Sequence, residues 1–449
     1  MPAHPVPIAP KARPLLGHLL SLGRDPLDFL RSLPSQGDLA WVKFGPIRVL
    51  IACSAETTHE LLVDDRTFDK GGAIFDRVRE VTGNGLGTCP HAEHRRIRRL
   101  TQPAFHSRLL DTQARVMTGQ INAAISAWRT GQTIDVMQEM LEITSRVLIT
   151  TMFTDALPAA ALEPTMRDSD TVLTGTFKRA LMPVPLARLP FFGNRQYHLA
   201  RLRLRTTVAG IIAARRSASG THSDLLSILL ERPEGNDDQL LTDEEIENQV
   251  ITFLVAGTDT TASLLAWAMS LLVKHPQIAE RLRQELHTTL NGEQVTLADL
   301  PALLLTRNII TETLRLYPPV WLLTRTATTD CVVGGQPTQA GTTVLYSPYL
   351  IHHHPDLYPD PEVFDPDRWS SDRRPPRNAF IPFGAGARKC IGDTFGVTEA
   401  TLALATIAAR WDFTLVSDAS VTAAFVLRPR NLKLRLTARQ PDQRASTTG

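Results

Sequence analysis

The decapeptide Phe383–Gly392 reads FGAGARKCIG and places one cysteine, Cys390, in a glycine-rich loop. Arg388 and Lys389 come directly before that cysteine, and a mostly apolar stretch, Val397 to Trp411, follows as a predicted helix. Glycines let the backbone pass close to a flat ligand. The N-terminus of a helix and basic neighbours favour a thiolate over a thiol. The loop is therefore expected to offer one thiolate to an open coordination position of a metal.

Other glycine-rich loops fit this stretch less well. A dinucleotide-binding loop needs a glycine where Lys389 stands, and a P-loop ends in Gly-Lys-Ser/Thr, which is absent here. A structural buried cysteine needs no arginine two residues earlier. The spacing Phe-x-x-Gly-x-Arg-x-Cys-x-Gly resembles the haem-ligand loop of the cytochrome P450 superfamily. In that family the thiolate pushes electron density onto the iron and favours O–O cleavage.

The resemblance implies haem b as the cofactor, with Cys390 as the axial iron ligand. It continues beyond the loop, because Phe395 and Glu399 stand at the family spacing, although Gly396 replaces the usual small alanine. The other loop residues that the resemblance places at the cofactor are Phe383, Gly384, Arg388 and Gly392.

The composition is that of an ordinary globular protein, with 449 residues, 43% hydrophobic and 21% charged. No linker-like break interrupts the chain, so we expect a single haem domain over residues 1–449. Within it, residues 1–13 are expected to form an extended, proline-rich arm and residues 438–449 a mobile tail. The net charge of +2 gives no electrostatic reason for nucleic acid binding.

The four cysteines are Cys53, Cys89, Cys331 and Cys390, and no two form a Cys-x-x-Cys pair. Zinc and iron–sulfur sites are therefore disfavoured, and a cytoplasmic protein with unpaired thiols fits. The N-terminus opens with prolines rather than an apolar run, so no signal peptide is expected. No Rossmann fingerprint or flavin domain is visible, and electrons are expected from separate proteins.

A long helix is predicted from the capping box Thr242–Glu245 to about His275, because Pro276 resists continuation. It would contain about 33 residues and measure roughly 50 Å. Its middle, Val250 to Met269, is largely apolar, which fits either a buried helix or a membrane span. Asp259 in that middle, flanked by threonines, favours the buried helix, and no membrane span is expected.

The segment Ala256–Thr261 (AGTDTT) places an acid and hydroxyls in this apolar helix. One interpretation is local, with Thr260 bonded to a carbonyl one turn earlier and Asp259 facing a basic neighbour. The segment also resembles the oxygen-activating stretch of the central P450 helix, where an acid–alcohol pair and water deliver protons. By that resemblance Asp259 is the relay acid, Thr260 is the alcohol and Ala256 lies against the cofactor.

Glu312 and Arg315 stand at an i, i+3 spacing on a predicted helix that stops at Pro318-Pro319, so they can pair on one face. Such a pair is common and worth little when it is exposed. Arg368, shortly before the cysteine loop, could complete a network with them. Together the three resemble the structural triad of the P450 family, and we expect them to serve folding and haem retention rather than catalysis.

A second group of basic residues points to an anion. His94 and Arg98 stand one helical turn apart, and Arg325 follows an apolar run. A solvated basic helix face is the alternative for the first two. The family resemblance instead implies that His94, Arg98, Arg325 and Arg388 bind the haem propionates.

The expected fold is mostly α with minor β, the cytochrome P450 fold, with the haem between the long central helix and the cysteine-ligand loop. Strand hairpins are expected over Leu39–Ala52 and Cys331–Tyr346. The implied reaction inserts one atom of O2 into an unactivated substrate bond, and the other becomes water. Electrons are expected from NAD(P)H through a ferredoxin reductase and a ferredoxin. The basic surface expected to dock that acidic partner contains Arg95, Arg96, Arg99 and Lys389.

The segments expected to line the substrate pocket are apolar, which suits a small hydrophobic substrate. Stretches such as Asp69–Gly72 and Leu323–Ala327 resemble bacterial terpenoid-oxidising members of the family, so a sesquiterpene-like terpenoid is the leading expectation. A fatty acid or a macrolide is the alternative. The residues placed in the pocket by family match are Ile74, Phe75, Val255, Val320, Leu322, Leu323 and Phe425.

Two other functional classes are weighed against a monooxygenase. A peroxide-driven peroxygenase would carry an arginine in the central helix to grip a fatty-acid carboxylate, and none occurs from Val250 to Met269. A non-enzymatic haem sensor would not need the acid–alcohol pair. The run His352–His354 is interpreted as a turn rather than a metal site, because adjacent side chains point in different directions.

Overall fold

The structure of the protein is a computed structural model, which describes residues 6–45, 47–153, 157–180, 189, 193–217, 224–231, 240–370 and 375–439. Helices dominate these residues and strands form a minor part, which confirms the expected fold class. The helices are α1 (Leu19–Arg24), α2 (Pro26–Arg31), α3 (Ala55–Val63), α4 (Ala73–Thr82), α5 (His91–Thr101), α6 (Ser107–Ile125), α7 (Val136–Phe153), α8 (Ala159–Ala180), α9 (Asn194–Ser217), α10 (Leu225–Leu230), α11 (Asp243–Lys274), α12 (Pro276–Leu290), α13 (Leu304–Leu316), α14 (Pro348–His352) and α15 (Asp393–Arg410).

The strands are β1 (Leu39–Phe44), β2 (Ile47–Ala52), β3 (Phe68–Asp69), β4 (Thr133–Asp135), β5 (Leu323–Ala327), β6 (Cys331–Val333), β7 (Gln336–Thr338), β8 (Thr343–Tyr346), β9 (Trp411–Ser417), β10 (Ser420–Ala423), β11 (Leu427–Arg430) and β12 (Lys433–Ala438). Five of them form one sheet in the order β1-β2-β8-β5-β3, in which only β2 and β8 run parallel. Three more pair as β4-β12-β9, and β6-β7 and β10-β11 are two-stranded.

Both predicted hairpin regions contain strands. The pair β1–β2 is antiparallel, with Leu39 opposite Ala52, as expected for Leu39–Ala52. The second region divides, because β6 and β7 form a small hairpin while β8 joins the five-stranded sheet. Sequence periodicity alone did not show this division, since it depends on which distant strand each segment meets.

The long helix α11 begins and ends as predicted. The Thr242 side chain accepts a hydrogen bond from the Glu245 backbone, and Glu245 returns one to the Thr242 backbone. His275 caps the C-terminal end and Pro276 starts the next helix. Among the described residues α11 alone is long and apolar enough to cross a membrane, but 83% of its most apolar window is buried inside the protein. The helix is therefore a core element.

The cysteine loop lies where two hydrophobic cores meet. The helical core consists of buried residues from α6, α7, α11, α13 and α15, such as Ile121, Val147, Leu265, Ile309 and Leu404. The sheet core surrounds the five-stranded sheet and includes Phe29, Leu50, Ile51, Val344 and Tyr346. Phe383 and Ile391 pack on the helical core, whereas Ile381 belongs to the sheet core and Ala385 packs on it. The loop therefore connects both cores.

The N-terminal arm is anchored from Val6 onward, since Ile8 bridges to Trp41 of β1 and Ala9 is buried. Three expectations lie wholly or partly outside the described residues. These are the first five residues of the arm, the mobile tail beyond residue 439, and residue 46 within the hairpin predicted over Leu39–Ala52. Ala438, which was placed in the tail, is instead the last residue of β12.

The loop backbone needs glycine at two positions. Gly384 and Gly386 have φ angles of 69° and 67°, a left-handed conformation that most side chains disfavour. At Gly386 a Cβ atom would also lie 2.2 Å from the carbonyl oxygen of Leu62, at the end of α3. The loop therefore packs so closely on α3 that no side chain fits at this position.

We predict that Gly386→Ala lowers the free energy of unfolding by at least about 1–3 kcal/mol, because it adds backbone strain and a clash with the Leu62 carbonyl. Urea denaturation of the purified protein measures the change. Gly119→Ala is the control, because Gly119 lies in α6 with open space around it. Its alanine should be neutral or stabilise the helix by up to about 1 kcal/mol. Equal effects of the two substitutions would contradict the close approach.

Candidate active site

Cys390 is held by its own backbone at the end of the glycine-rich loop. Its N–H donates to the Phe383 carbonyl at 2.9 Å, and the Lys389 N–H donates to the Gly386 carbonyl at 3.2 Å. The residue has accessible surface, yet protein surrounds it closely and burial raises the pKa of its thiol. Cys390 therefore combines an accessible side with closely surrounding protein, which suits a ligand held against the loop.

The pKa of the Cys390 thiol is raised in the protein without a metal, although nearby cations lower it as expected. Burial raises the thiol pKa more than the Gly392 N–H and the cations Lys70 and Arg98 lower it. The two basic residues directly before Cys390 each have carboxylate partners of their own. Lys389 pairs with Asp393 at 2.5 Å, and Arg388 points to aspartates elsewhere. A bound metal ion would have to displace the thiol proton itself.

Of all the predicted propionate partners, Arg325 is the one whose surroundings best fit a bound anion. It is buried on β5, where it lies over the Tyr346 ring and donates to the Thr324 carbonyl. Its Nε atom is buried without a hydrogen-bond partner, and no carboxylate of the described residues pairs with it. A buried guanidinium with unused donors is costly, so this site fits an anionic group such as a haem propionate.

His94 and Arg98 both lie on α5, next to the cysteine loop. Arg98 donates to the Lys389 carbonyl at 2.6 Å and to the Ala387 carbonyl at 3.4 Å. Arg98 therefore fixes the loop backbone directly before Cys390. Burial, with help from Arg388, lowers the pKa of His94 to about 3. His94 is thus neutral at physiological pH and offers an anion a hydrogen bond rather than a charge.

Arg388 is more heavily engaged than its place among the propionate partners implied. Its Nε lies 3.2 Å from Asp65, its Nη2 lies 2.5 Å from Asp69, and its Nη1 donates to the Cys89 carbonyl at 2.9 Å. The guanidinium has five N–H groups, so these contacts leave donors for another acceptor. Two aspartates nevertheless already balance its charge, and Arg388 joins the cysteine loop to the segment before α4.

Lys70 is a further cation that sequence reasoning did not assign to the site. It follows β3, and its Nζ donates to the Gly87 carbonyl at 2.7 Å. Burial, together with Arg325 and Arg388, lowers the pKa of its ammonium to about 7. Arg325 and Arg388 thus repel the Lys70 ammonium, and an anionic ligand at this place would relieve the repulsion. Its position in the stretch Asp69–Gly72 gave no sign of this convergence.

The centre of α11 has space beside it where the acid–alcohol pair lies. Ala256 is exposed and Gly257 and Thr260 are half-buried, although the flanking residues Val255 and Thr261 are buried. The Thr260 hydroxyl donates to the Ala256 carbonyl at 2.9 Å. The local bond foreseen as an alternative is therefore present. It uses the hydroxyl proton and leaves the Thr260 oxygen as an acceptor.

Asp259 is buried and pairs with Arg428 of β11, with 2.7 Å between Oδ2 and Nη2. Arg428 also contacts Asp170 of α8 at 2.8 Å. Burial raises the pKa of Asp259, and Arg428 opposes that rise. The basic neighbour foreseen as an alternative is thus Arg428. Sequence reasoning missed it because α11 itself carries no arginine in this region and β11 is about 170 residues away in the chain.

The structure brings the three expected triad residues together. The Arg315 Nη2 lies 2.7 Å from Glu312 Oε1, and its Nε lies 2.9 Å from Oε2, with both side chains fully buried. Arg368 Nε reaches Glu312 Oε1 at 3.5 Å, and Trp369 Nε1 donates to Oε2 at 2.9 Å. Arg315 also donates to the carbonyls of Pro361, Val363 and His352.

His352 has a structural role that its place in a histidine run concealed. It is the last residue of α14 and fully buried, and its Nε2 accepts a hydrogen bond from the Ile381 N–H at 2.9 Å. Its Nδ1 lies 3.2 Å from the Arg315 carbonyl. The neutral ring thus joins the triad to the residues just before the cysteine loop. The run itself ends a helix, with His353 as its cap, rather than forming a simple turn.

Of the seven expected pocket residues, Phe75 of α4 and Val255 of α11 are buried. The other five are half-buried, as apolar residues beside an interior space would be. Leu322 and Leu323 pack on the sheet core and Phe425 on the helical core. These five are Ile74, Val320, Leu322, Leu323 and Phe425.

The basic surface expected for a partner differs from the expectation in its members. Arg96 pairs with Glu245 and donates to the Leu240 carbonyl, so it anchors α5 to the start of α11 instead of serving a partner. Arg95, Arg99 and Lys389 are exposed beside a broad surface cavity of about 900 Å³ that Arg66 and Arg108 also line. The corrected docking surface therefore consists of Arg66, Arg95, Arg99, Arg108 and Lys389.

Comparisons with known proteins agree with this geometry. A family model described as cytochrome P450 matches residues 7–435. Cyclooctat-9-en-7-ol 5-monooxygenase of Streptomyces melanosporofaciens is 43% identical, covering 90% of this chain and 88% of that protein. Pentalenene oxygenase of Streptomyces avermitilis is 42% identical, covering 97% of this chain and 98% of that protein. The crystal structure of the cytochrome P450DA heme domain superposes with a TM-score of 0.87 at 27% identity, covering 97% of this chain and 98% of that one.

The chain belongs to the cytochrome P450 family. It is a cytochrome P450 monooxygenase whose cofactor is haem b with a cysteine thiolate ligand. Such an enzyme uses O2 and electrons derived from NAD(P)H, so it needs a redox partner and binds a hydrophobic substrate. The unused donors of Arg325, the converging cations and the accessible side of Cys390 fit this cofactor.

We predict that Glu312→Ala lowers the free energy of unfolding by about 3–5 kcal/mol, because it leaves the Arg315 charge buried without a carboxylate. Urea denaturation measures the loss, and Glu312→Gln serves if the alanine variant does not fold. The control is Glu163→Ala, which breaks an exposed pair with Arg167 in α8. That change should cost at most about 1 kcal/mol. Similar losses for Glu312 and Glu163 would show that the triad does not support the fold.

Proposed function

We propose that this protein is a soluble, cytoplasmic haem-thiolate monooxygenase that oxidises a small terpenoid, most closely a sesquiterpene-like hydrocarbon. We further propose that residues 1–449 form one haem domain with Cys390 as the iron ligand. The observation that carries the substrate class is the likeness to two enzymes whose names state terpenoid substrates, at 42% and 43% identity. The apolar character of the seven expected pocket residues supports the same class.

The haem, when bound, supplies the activation of O2, and the protein holds it and controls protons around it. Arg325, Arg98 and neutral His94 are the proposed propionate partners, together with the donors that Arg388 keeps free. Thr260 is proposed to order water on the cofactor side of α11, since its oxygen is an acceptor. Asp259, the adjacent residue, is the proposed source of the protons that this water passes on.

Electrons are proposed to come from a ferredoxin that an NAD(P)H-dependent ferredoxin reductase reduces. The corrected docking surface, with Arg95, Arg99 and Lys389 at its centre, has the charge to attract an acidic protein. Lys389 and the Arg98-bound backbone lie directly beside Cys390, so a partner on this surface would approach the ligand loop. Association should weaken as ionic strength rises.

A fatty acid is the alternative substrate, and Arg428 is the cation that contacts the acid–alcohol pair among the described residues. Asp259 and Asp170 already balance the charge of Arg428, so it does not offer an unpaired site for a carboxylate. The absence of an arginine in the middle of α11 likewise disfavours a fatty-acid peroxygenase.

A panel titration and a turnover assay test the proposal. Terpenes, steroids, macrolides and fatty acids are titrated while the haem spectrum is recorded, and ligands that bind are then incubated with and without ferredoxin, reductase and NADPH. Product that requires ferredoxin supports a monooxygenase. Product with hydrogen peroxide alone would identify a peroxygenase, and binding without any product would favour a sensor.

We predict that Cys390→Ala abolishes the red-shifted Soret band that a thiolate ligand gives to the reduced, carbon monoxide-bound protein. Cys390 alone of the four cysteines stands in the glycine-rich ligand loop. The spectrum of purified protein after dithionite and carbon monoxide measures this. Cys331→Ala is the control, because Cys331 lies on β6 in a separate hairpin, and it should keep the band. A band retained without Cys390 would refute the ligand assignment.

We predict that Thr260→Ala retains substrate binding but loses coupling between NAD(P)H consumption and product. Without the hydroxyl, water beside α11 is less ordered, so proton delivery fails while reductant is still consumed. Product and peroxide per NAD(P)H measure the effect. Thr260→Ser, which keeps the hydroxyl, should keep most of the coupling. Unchanged coupling in the alanine variant would mean that the Thr260 hydroxyl serves only its local hydrogen bond to the Ala256 carbonyl.

We predict that apolar contact, and not an ion pair, selects the substrate. Burying apolar surface stabilises the complex by roughly 25 cal/mol per Å². Burying even a neutral polar group without a partner costs about 2–7 kcal/mol, and an ionised carboxylate costs more. Val320→Asp should therefore weaken terpene binding, and ionic strength should have little effect on the wild type. Titrations with a sesquiterpene and a fatty acid of similar size measure this, with Val320→Leu as the control. Tighter, salt-sensitive binding of the fatty acid would contradict the terpenoid assignment.

A further inference from the structure

Apolar packing anchors only one end of α4. Ile74 and Phe75, the two expected pocket residues of this helix, lie in its first turn. Phe75 is buried and Ile74 is half-buried, yet neither belongs to a hydrophobic cluster of the described residues. Of the apolar residues of α4, Val81 alone packs in the helical core, and it lies at the opposite end of the helix. Contacts of another kind must therefore hold the first turn.

The first turn of α4 also has no side-chain cap. Gly72 is the N-cap residue and makes no side-chain hydrogen bond to the turn. The first N–H groups of a helix have no partners within the helix, so an uncapped turn is less stable than a capped one. The hydrogen bond that closes this turn runs from the Asp76 N–H to the Gly72 carbonyl at 3.1 Å. That bond depends on support from outside the turn.

Arg79 connects α4 to the chain on both sides of the helix. Its Nη2 donates to the Lys70 carbonyl at 2.6 Å, before the helix, and its Nε donates to the Thr88 carbonyl at 3.0 Å, after it. Its Nη1 lies 3.2 Å from Asp76, and the side chain is 28% exposed. The guanidinium therefore closes the segment from Lys70 to Thr88 into a loop that contains α4.

The two ends of this loop are fixed to other parts of the protein. The Thr324 hydroxyl of β5 donates to the Gly71 carbonyl at 2.6 Å. The Leu86 N–H donates to the Gln249 side chain of α11 at 2.8 Å. The carbonyls that Arg79 binds lie next to these anchors in the chain, so Arg79 fixes the helix relative to both β5 and α11.

Phe75 lies on the face of α4 that Arg79 holds. The two residues are four positions apart, which places them on the same side of a helix. The Lys70 Nζ atom lies 5.9 Å from the centroid of the Phe75 ring. The residue whose carbonyl Arg79 binds therefore also contacts this ring. A shift of the first turn away from Lys70 would displace Phe75 with it.

We propose that Arg79 is a positioning residue for the substrate pocket, because its bonds to the Lys70 and Thr88 carbonyls hold the turn that carries Ile74 and Phe75. This inference rests on the proposed pocket role of Ile74 and Phe75. It adds a charged residue that acts on the substrate through an apolar neighbour. The donors of Arg79 bind protein carbonyls and Asp76 balances its charge, so the pocket stays suited to a hydrophobic ligand.

The first experiment measures amide hydrogen exchange in the haem-loaded protein without a substrate. Arg79→Met keeps a long side chain but removes its donors. It should speed the exchange of amides 76–79, whose hydrogen bonds close the first turn, by about tenfold. Arg115→Ala, which breaks an exposed pair with Asp111 on α6, is the control and should leave these amides unchanged. Wild-type exchange in Arg79→Met would overturn the proposal.

The second experiment titrates the haem-loaded protein with two ligands while the haem spectrum is recorded. Imidazole binds the iron alone, whereas 4-phenylimidazole also places an apolar ring in the pocket. Arg79→Met should raise the dissociation constant of 4-phenylimidazole about tenfold and that of imidazole less than about twofold. Arg79→Lys keeps the charge but not the planar fork, so it should recover part of the affinity, and it serves if the other variant does not fold. Equal changes for both ligands would indicate a damaged haem site and overturn the proposal.

A double variant tests whether Arg79 acts through Phe75. Combined with Phe75→Ala, Arg79→Met should weaken 4-phenylimidazole binding little further, because residues that act together have non-additive effects. Fully additive losses would refute the positioning role.

The same titrations separate this inference from the proposed function. If Phe75→Ala binds 4-phenylimidazole as tightly as the wild type, the pocket role of Phe75 itself fails. If Phe75→Ala weakens binding and Arg79→Met does not, the pocket role stands and the role of Arg79 is refuted. The reduced, carbon monoxide-bound spectrum of each variant tests the haem-thiolate function independently of both.

Discussion

The buried ion pair between Glu312 and Arg315 is the interaction on which the site depends most. The remaining donors of Arg315 bind the carbonyls of His352, Pro361 and Val363. His352 lies at the end of a short helix, and the other two residues lie in segments without regular secondary structure. Those segments lead to the cysteine loop, and their prolines cannot donate the backbone hydrogen bonds that a helix or a sheet would need. One guanidinium, neutralised by one carboxylate, therefore fixes the path of the chain up to residue 363.

The support continues towards the metal ligand in short steps. His352 makes hydrogen bonds to both Arg315 and Ile381, and at Ile381 the chain enters the sheet core. Further along, Gly386 packs against the Leu62 carbonyl. Arg98 and Arg388 hold the loop from the side of α5 and β3. The thiol of Cys390 thus reaches a fixed place between two cores although its own residue belongs to a loop. A ligand atom that must be placed within a fraction of an ångström needs this kind of support.

The site contains two groups of charged residues, one around Lys70 and one around Asp259, and their charges are balanced in different ways. Lys70 and Arg325 converge beside Arg388, and only Arg388 has aspartates that balance its charge, so the repulsion at Lys70 favours an anionic cofactor. Around Asp259 the charges balance within the protein, because Arg428 and Asp170 complete a row of three. The first arrangement suits an anionic group from outside, whereas the second keeps a buried acid balanced by its neighbours.

The sequence by itself determined the fold class, the long helix from its cap to Pro276, the cysteine loop and the pairing of Glu312 with Arg315. The helix and the Glu312–Arg315 pair follow from short-range rules, namely capping, proline geometry and the i, i+3 spacing, that residues close in the chain obey wherever they fold. The fold class and the role of the cysteine loop were implied by the resemblance of local motifs to the family. The tertiary structure alone decided that Arg428 faces Asp259 and that Arg96 pairs with Glu245. It also decided that Lys70 lies near Arg325 and Arg388 and that burial raises the thiol pKa of Cys390. Each of these depends on a partner far away in the chain or on exclusion of water, and no local pattern records either.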